Sequence, residues 1–122
     1  MASQGSVDLF APKVVRGGMG AHFRLKLGVD LPWPEIAAVL GVGRAVVVAD
    51  PRASQTYYSF DWRRPAALMV GSEAHGPSDQ ALRLATDRVS IPLADAVESL
   101  NAAIAGSVIL FEAKRQREAS SK

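Results

Sequence analysis

A domain of the α/β class, with helices packed on a parallel sheet, is the fold this sequence predicts, and three observations predict it. Two continuous apolar runs, Ala45 to Ala49 and Ala66 to Val70, have the pattern of strands covered on both faces. Segments with helical punctuation stand around them: Pro32 and Pro34 ahead of a stop at Gly41, and Gly76-Pro77-Ser78 opening toward Ala85. The resulting order is strand, helix, strand, helix, strand, helix, which supplies the crossovers that parallel pairing needs.

Composition sets the outer bounds. The 122 residues are 48% apolar and 21% charged, which suits one globular domain without a linker. A chain of this length buries only about two thirds of its unfolded surface, so a spare apolar face gains from pairing with a second copy, and a homodimer is expected. Formal charge is +2, and Lys114, Arg115, Arg117 and Lys122 crowd the C-terminal end. They read first as complements to a helix dipole, and only second as a phosphate-binding patch. There is no cysteine and there are two histidines, His22 and His75, so no metal site is expected. No apolar run approaches the roughly 18 residues of a membrane helix. The start lacks the basic-then-apolar order of a secretion signal, and the expected location is cytoplasmic without membrane contact.

In chain order, Met1 to Ser6 is small and polar and reads as a frayed start or an expression remnant. A helix is expected from Pro12, weakened by Gly17, Gly18 and Gly20, whose density fits either a close backbone approach or a loose loop. His22 to Leu27 alternates, with Phe23, Leu25 and Leu27 on one face, and predicts a half-buried strand with a basic outer face. Pro32 to Leu40 predicts a short helix ended by Gly41. Ala45 to Ala49 is a strand closed by Asp50-Pro51. From Arg52 to Arg64 the chain carries Tyr57, Tyr58, Phe60 and Trp62 without a clean period. These rings, beside Arg63 and Arg64, suit stacking on bases, but large rings more often pack on a sheet edge or a partner subunit. After Ala66 to Val70 and the helix to Ala85, Val89 to Leu93 is the next strand, stopped by Pro92. A last helix is expected from near Ser99 to about Arg117, apolar nearly all round from Leu100 through Phe111 and therefore surrounded by protein.

Three ligand-friendly corners fall in the second half: Gly71-Ser72-Glu73-Ala74-His75-Gly76 after one strand, Ile91-Pro92-Leu93 after another, and Glu98-Ser99-Leu100-Asn101-Ala102-Ala103 at the start of the last helix. Turns at the end of parallel strands offer bare backbone groups where such folds hold cofactors. Singly, Glu73 and His75 read as exposed loop residues, and Ser99 and Asn101 as helix caps.

Their order and spacing resemble the SpoU (TrmH-like) family of RNA ribose methyltransferases, in the SPOUT superfamily. Gly71 to Gly76 is similar to the family's second motif; Ser99 to Asn101, followed by Ala105 and Glu112, is similar to its third. Val15-Arg16-Gly17-Gly18-Met19-Gly20-Ala21 resembles the mid-domain segment written V-R-A-S-x-G-A. The resemblance implies a parallel-sheet α/β knot, its C-terminal segment threaded as a deep trefoil. It implies S-adenosyl-L-methionine held near Gly71, Ser72, Gly76, Ile91, Leu93, Ser99 and Leu100, and catalytic roles for Ser99, Asn101 and Glu73. It further implies homodimers acting on ribosomal or transfer RNA. Two departures stand out. The family's N-x-G-x-x-x-R-x-A segment, whose arginine helps activate the 2′-hydroxyl, does not precede Val7, so the chain is expected to be an N-terminally incomplete domain over residues 1–122; Arg16 matches a different position. Gly17-Gly18 also replaces the usual A-S. The alternative is a catalytically inactive knotted module that dimerises and binds RNA or cofactor. An ordinary nucleotide-binding domain is disfavoured because no G-x-G-x-x-G is present.

Overall fold

The computed structural model describes residues 1–122, which divide into two units, Met1–Gly41 and Val42–Lys122. In the first, α1 spans Pro12–Gly17, with proline in the first turn, where its missing N–H leaves no intrahelical bond unmade. α2 spans Trp33–Leu40 and buries Ile36 and Leu40. It ends where Gly41 adopts φ +58°, a conformation that favours glycine, while donating its N–H to Ala37 O at 3.1 Å.

Two expectations for this unit are corrected. The start is not frayed: Ala2 N donates to Gly28 O at 2.8 Å, Leu31 N to Ala2 O at 3.0 Å and Gln4 N to Leu31 O at 3.0 Å. Nor does His22 to Leu27 form a strand. Ala21–Phe23 is a 3-10 turn and the residues after it have no regular structure. Met19 and Gly20 precede it at φ +51° and +86°, which winds the chain into a turn; Phe23 N then bonds Gly20 O at 3.1 Å and Leu25 N bonds Ala21 O at 3.0 Å. Alternation marks a strand only where a partner exists, and Phe23, on the supposed inner face, is 90% exposed.

In the second unit Ala45–Ala49 forms β1, buried from Ala45 through Val48. It lies between β2, Ala66–Met69, and β3, Asp87–Val89, and pairs with both in parallel. Between β2 and β3 the chain crosses through α3, Asp79–Leu84, whose N-terminus is capped by Ser78 Oγ accepting from Ala81 N at 3.2 Å. The expected strand at Val89 to Leu93 begins earlier and changes partner: Ala49 pairs with Val89, and β1 then ends. Ser90 instead pairs with the β1–β2 connection, donating to Gln55 O at 2.8 Å and accepting from Tyr57 N at 2.9 Å.

That connection, residues 50–65, carries the aromatic segment. Phe60 and Trp62 enter the core with Val47, Val89, Ile109 and Ala113, and meet edge to face at 4.6 Å. Packing thus claims these two rings, whereas Tyr58 stays exposed. Backbone groups drawn inward with them need partners. The last helix, α4, Ala102–Ser120, provides them. Gln116 Oε1 accepts from Trp62 N at 2.9 Å, Gln116 Nε2 donates to Phe60 O at 3.0 Å, and Arg117 Nε donates to Trp62 O at 2.8 Å.

α4 starts at Ala102 and not at Ser99, because the Asn101 side chain caps it. It buries a single stripe, Gly106, Ile109 and Ala113, at helical spacing. The expectation that its apolar first turns are enclosed on all sides is corrected for the single chain: Ile104 is 55% and Phe111 70% exposed.

Two predictions follow from this strap. Gln116→Ala removes bonds to Trp62 and Phe60 and is expected to cost about 2 kcal/mol in denaturant unfolding; a change under about 0.5 kcal/mol would show that water replaces them. Hydrogen bonds from Arg115 and then Gln116 hold the Glu112 carboxyl down from its ordinary 4.5 to about 2. A carboxylate with a lowered folded-state pKa contributes stability above its unfolded value and loses it as pH falls through the folded one. Glu112→Gln is therefore expected to flatten the decline in stability between pH 4.5 and about 2, followed by thermal melts across that range.

Candidate functional site

Parallel pairing fixes where the chain leaves the sheet. Met69 pairs with Val48 and Val89 with Ala49. In register, Gly71 and Ser90 therefore stand on either side of Asp50, at the carboxyl edge of the three strands. With strands roughly 4.8 Å apart, the outer two exits are separated by about 10 Å, a span that one small ligand can bridge.

The loop after β2 is tightly drawn. Ser72 and Gly76 form an isolated antiparallel bridge, with Gly76 N donating to Ser72 O at 2.8 Å and His75 N to Ser72 Oγ at 3.1 Å. A Cβ at Gly71 would collide with the Gly76–Pro77 peptide, and Gly76 has φ +66°. Both glycines are thus required by the loop itself. Ser72 Oγ is engaged in closing it, and Glu73 and His75 remain on its exposed side.

The structure joins two of the three corners directly. Asn101 Oδ1 accepts from Ala103 N at 3.0 Å and Ile104 N at 3.2 Å, while its amide nitrogen donates to Glu73 Oε1. Capping fixes the amide orientation, since an oxygen accepting from the helix leaves the NH2 group pointing away from it. Asn101 is therefore a cap, as its sequence position suggests, and also a link between motifs 28 residues apart. Ser99 is exposed and Leu100 half-buried, both just before the helix. Ile91 packs against the core cluster, and Leu93 is half-buried in the segment beyond β3. These residues form an open edge. A groove of about 580 Å³ runs along α4 from Ala103 and Ile104, the residues that Asn101 caps, to Phe111 and Glu112, with Tyr57 on its wall.

Asp50, between the two exits, is a residue that sequence motifs do not single out. Its side chain is 2% exposed, with Oδ1 accepting from Arg52 N at 3.0 Å and Arg52 Nε at 3.2 Å, and Oδ2 lying 3.8 Å from Arg88 Nη1. The one available signal was a carboxylate ending an otherwise apolar run. No three His, Cys, Asp or Glu side chains gather into a metal-holding group.

Chemically, Gly71, the segment Ile91 to Leu93 beyond Ser90 and the residues before α4 present backbone donors and acceptors, half-buried apolar side chains and a carboxylate–amide pair. This set fits S-adenosylmethionine: apolar contacts for the adenine, backbone groups for its edge and the ribose, and negative charge near a sulfonium.

Comparison with known proteins shows the family. The sequence profile of the SpoU rRNA Methylase family matches residues 1–111. An uncharacterised tRNA/rRNA methyltransferase of Synechocystis is 40% identical, over 94% of this chain and 42% of its own length. A 23S rRNA (uridine-2′-O)-methyltransferase of Streptomyces viridochromogenes is 35% identical, over 92% of this chain and 41% of its own. Among solved structures, the SpoU methyltransferase AviRb of Streptomyces viridochromogenes, in complex with AdoMet, superposes with TM-score 0.83 at 34% identity over 98% of this chain and 49% of that one. The chain thus spans about two fifths of the length of these two sequence relatives. By profile, sequence and fold together, it belongs to the SpoU rRNA methylase family.

Proposed function

We propose that residues 1–122 are part of a methyltransferase domain that carries a methyl group from S-adenosyl-L-methionine to a ribose 2′-hydroxyl of ribosomal or transfer RNA. The observation that carries this reading is the Glu73–Asn101 hydrogen bond, which unites the second and third family motifs at one sheet edge. When bound, the cofactor supplies a methyl already activated by its sulfonium. The protein's share is to hold the reactants in line and accept or guide one proton.

In this reading the backbone of Gly71, Ser72, Gly76, Ile91, Leu93 and Leu100 forms the cofactor wall. Asn101, held by the helix N-terminus it caps, presents a rigid amide beside Glu73. Ser99, exposed two residues earlier, offers a hydroxyl to the RNA ribose. The Glu73 carboxylate orients the amide and places negative charge where a cation and a departing proton are both favoured. The family's knotted C-terminal threading belongs to the same reading, supported by the grip of Gln116 and Arg117 on the aromatic connection. A homodimer belongs to it too, supported by the uncovered Ile104, Leu110 and Phe111 on α4. No helix is long and apolar enough to cross a membrane, and a cytoplasmic location is proposed.

The full protein, incubated with ribosomal and transfer RNA and methyl-labelled S-adenosylmethionine, is expected to label ribose 2′-oxygens; no incorporation into either RNA rejects the reading. Asn101→Ala removes the cap and is expected to cost about 1 kcal/mol of stability, whereas Asn101→Asp keeps an acceptor and stays within about 0.5 kcal/mol. Both are expected to slow methyl transfer by at least about tenfold, since neither offers Glu73 an amide donor. If Asn101→Asp retains full activity, the residue is only a cap. Phe111→Glu places a charge on the uncovered face of α4 and is expected to turn a dimer into a monomer in sedimentation. A wild-type protein that sediments as a monomer removes the dimer from the reading.

A further inference from the structure

The most deeply buried charged group of the second unit lies outside every motif named above. Asp50 follows β1 directly, and all of its polar atoms are directed at neighbouring chain. Its N–H donates to Val89 O at 2.9 Å and its C=O accepts from Ala53 N at 3.0 Å; Oδ1 takes the Arg52 N–H and Nε, and Oδ2 faces Arg88. Asp at the first position and Pro51 at the second are what an ordinary turn of this kind asks for. An ordinary turn, however, does not need its carboxylate removed from water, which is costly unless cations are held against it.

The consequence of that burial falls on β3. The backbone of Asp50 hydrogen-bonds Val89, and its carboxylate forms an ion pair at 3.8 Å with Arg88, the preceding residue of the neighbouring strand. The segment that Asp50 starts then pairs with Ser90 through Gln55 and Tyr57. Residues 88, 89 and 90 are thus all held by the chain running from Asp50 to Tyr57. The next residue is Ile91.

We propose that Asp50 is a positioning residue for the cofactor site: its buried carboxylate pairs the turn after β1 with Arg88 in the middle of β3 and thereby sets where the backbone of Ile91 to Leu93 meets S-adenosylmethionine. This rests on the cofactor reading given above and extends it to a residue outside the motifs. Asp50 does not touch the ligand; it acts through Arg88, Val89 and Ser90.

The test is S-adenosylmethionine binding by calorimetry, on the full chain, for wild type, Asp50→Asn, Arg88→Gln and the double variant. Asp50→Asn keeps the shape and an acceptor for the Arg52 N–H but drops the charge; Arg88→Gln alters a half-exposed side chain and leaves Asp50 intact. Each is expected to weaken binding by roughly tenfold at temperatures well below its own Tm. The double variant is expected to be no weaker than Asp50→Asn alone, because both changes break one link. Single variants that melt lower yet bind as tightly as wild type make Asp50 merely structural and overturn the inference. Effects that multiply in the double variant overturn the route through Arg88. If wild type itself binds no S-adenosylmethionine, the cofactor reading falls and this inference with it, an outcome distinct from the other two.

Discussion

Everything at the site depends on β2 and β3 running in the same direction as β1. Antiparallel pairing on either side would carry the Gly71 loop or the Ser90 exit to the opposite edge of the sheet. Parallel pairing requires the chain to return each time to the starting edge, and it does so by two different routes. Between β2 and β3 it uses α3. Between β1 and β2 it uses a connection without a helix, which leaves next to Asp50, pairs with Ser90, and sends Phe60 and Trp62 into the core.

The second route creates an unusual demand for polar partners. A helix satisfies its own backbone, but an extended connection drawn into a core does not. The indole N–H of Trp62 reaches back 2.7 Å to Tyr57 O, and α4 supplies the rest through Gln116 and Arg117. This explains why the C-terminal half of α4, so polar in sequence, is only partly a solvent face. Its glutamine and one arginine are turned toward the connection, whereas Lys114 and Glu118 pair across the exposed surface at 3.7 Å, a contact worth little in water. The apolar residues nearer its start are the ones left uncovered.

Local signals made part of this fold legible in the sequence. The apolar run Ala45 to Ala49 coincides with β1, because a strand covered on both faces leaves no room for polar alternation. Gly41 ends α2 as read, because a positive φ is a property of a single position; α3 begins later than a start with Pro77 in its first turn, at Asp79, with Ser78 as the cap. What was not legible depends on partners distant in sequence. His22 to Leu27 alternates well but has no strand beside it, and the left-handed Met19-Gly20 pair turns the chain first. The pairing of Ser90 with Gln55 and Tyr57 spans some 35 residues and leaves no local trace. At the site, motif likeness pointed to Glu73 and Asn101, but only coordinates reveal that they touch. Asp50-Pro51 is an adequate turn signal by itself, and burial of the carboxylate is not written in it.

Asn101 shows how one residue type reconciles local and long-range demands. Serine, threonine, aspartate and asparagine all cap helices well. With its acceptor given to the N–H groups of Ala103 and Ile104, aspartate would face Glu73 with a second negative charge, and serine or threonine lacks the length to reach both ways. Only asparagine joins a capping acceptor to a donor on the other arm of the same planar group. The helix therefore selects a class of four residues, and the carboxylate across from it selects one of them. Because the amide is planar, any shift of the α4 N-terminus is transmitted to Glu73, and through it to the loop that Gly71 and Gly76 hold closed. The open edge is in this way tied together across parts that stand 28 residues apart in the chain.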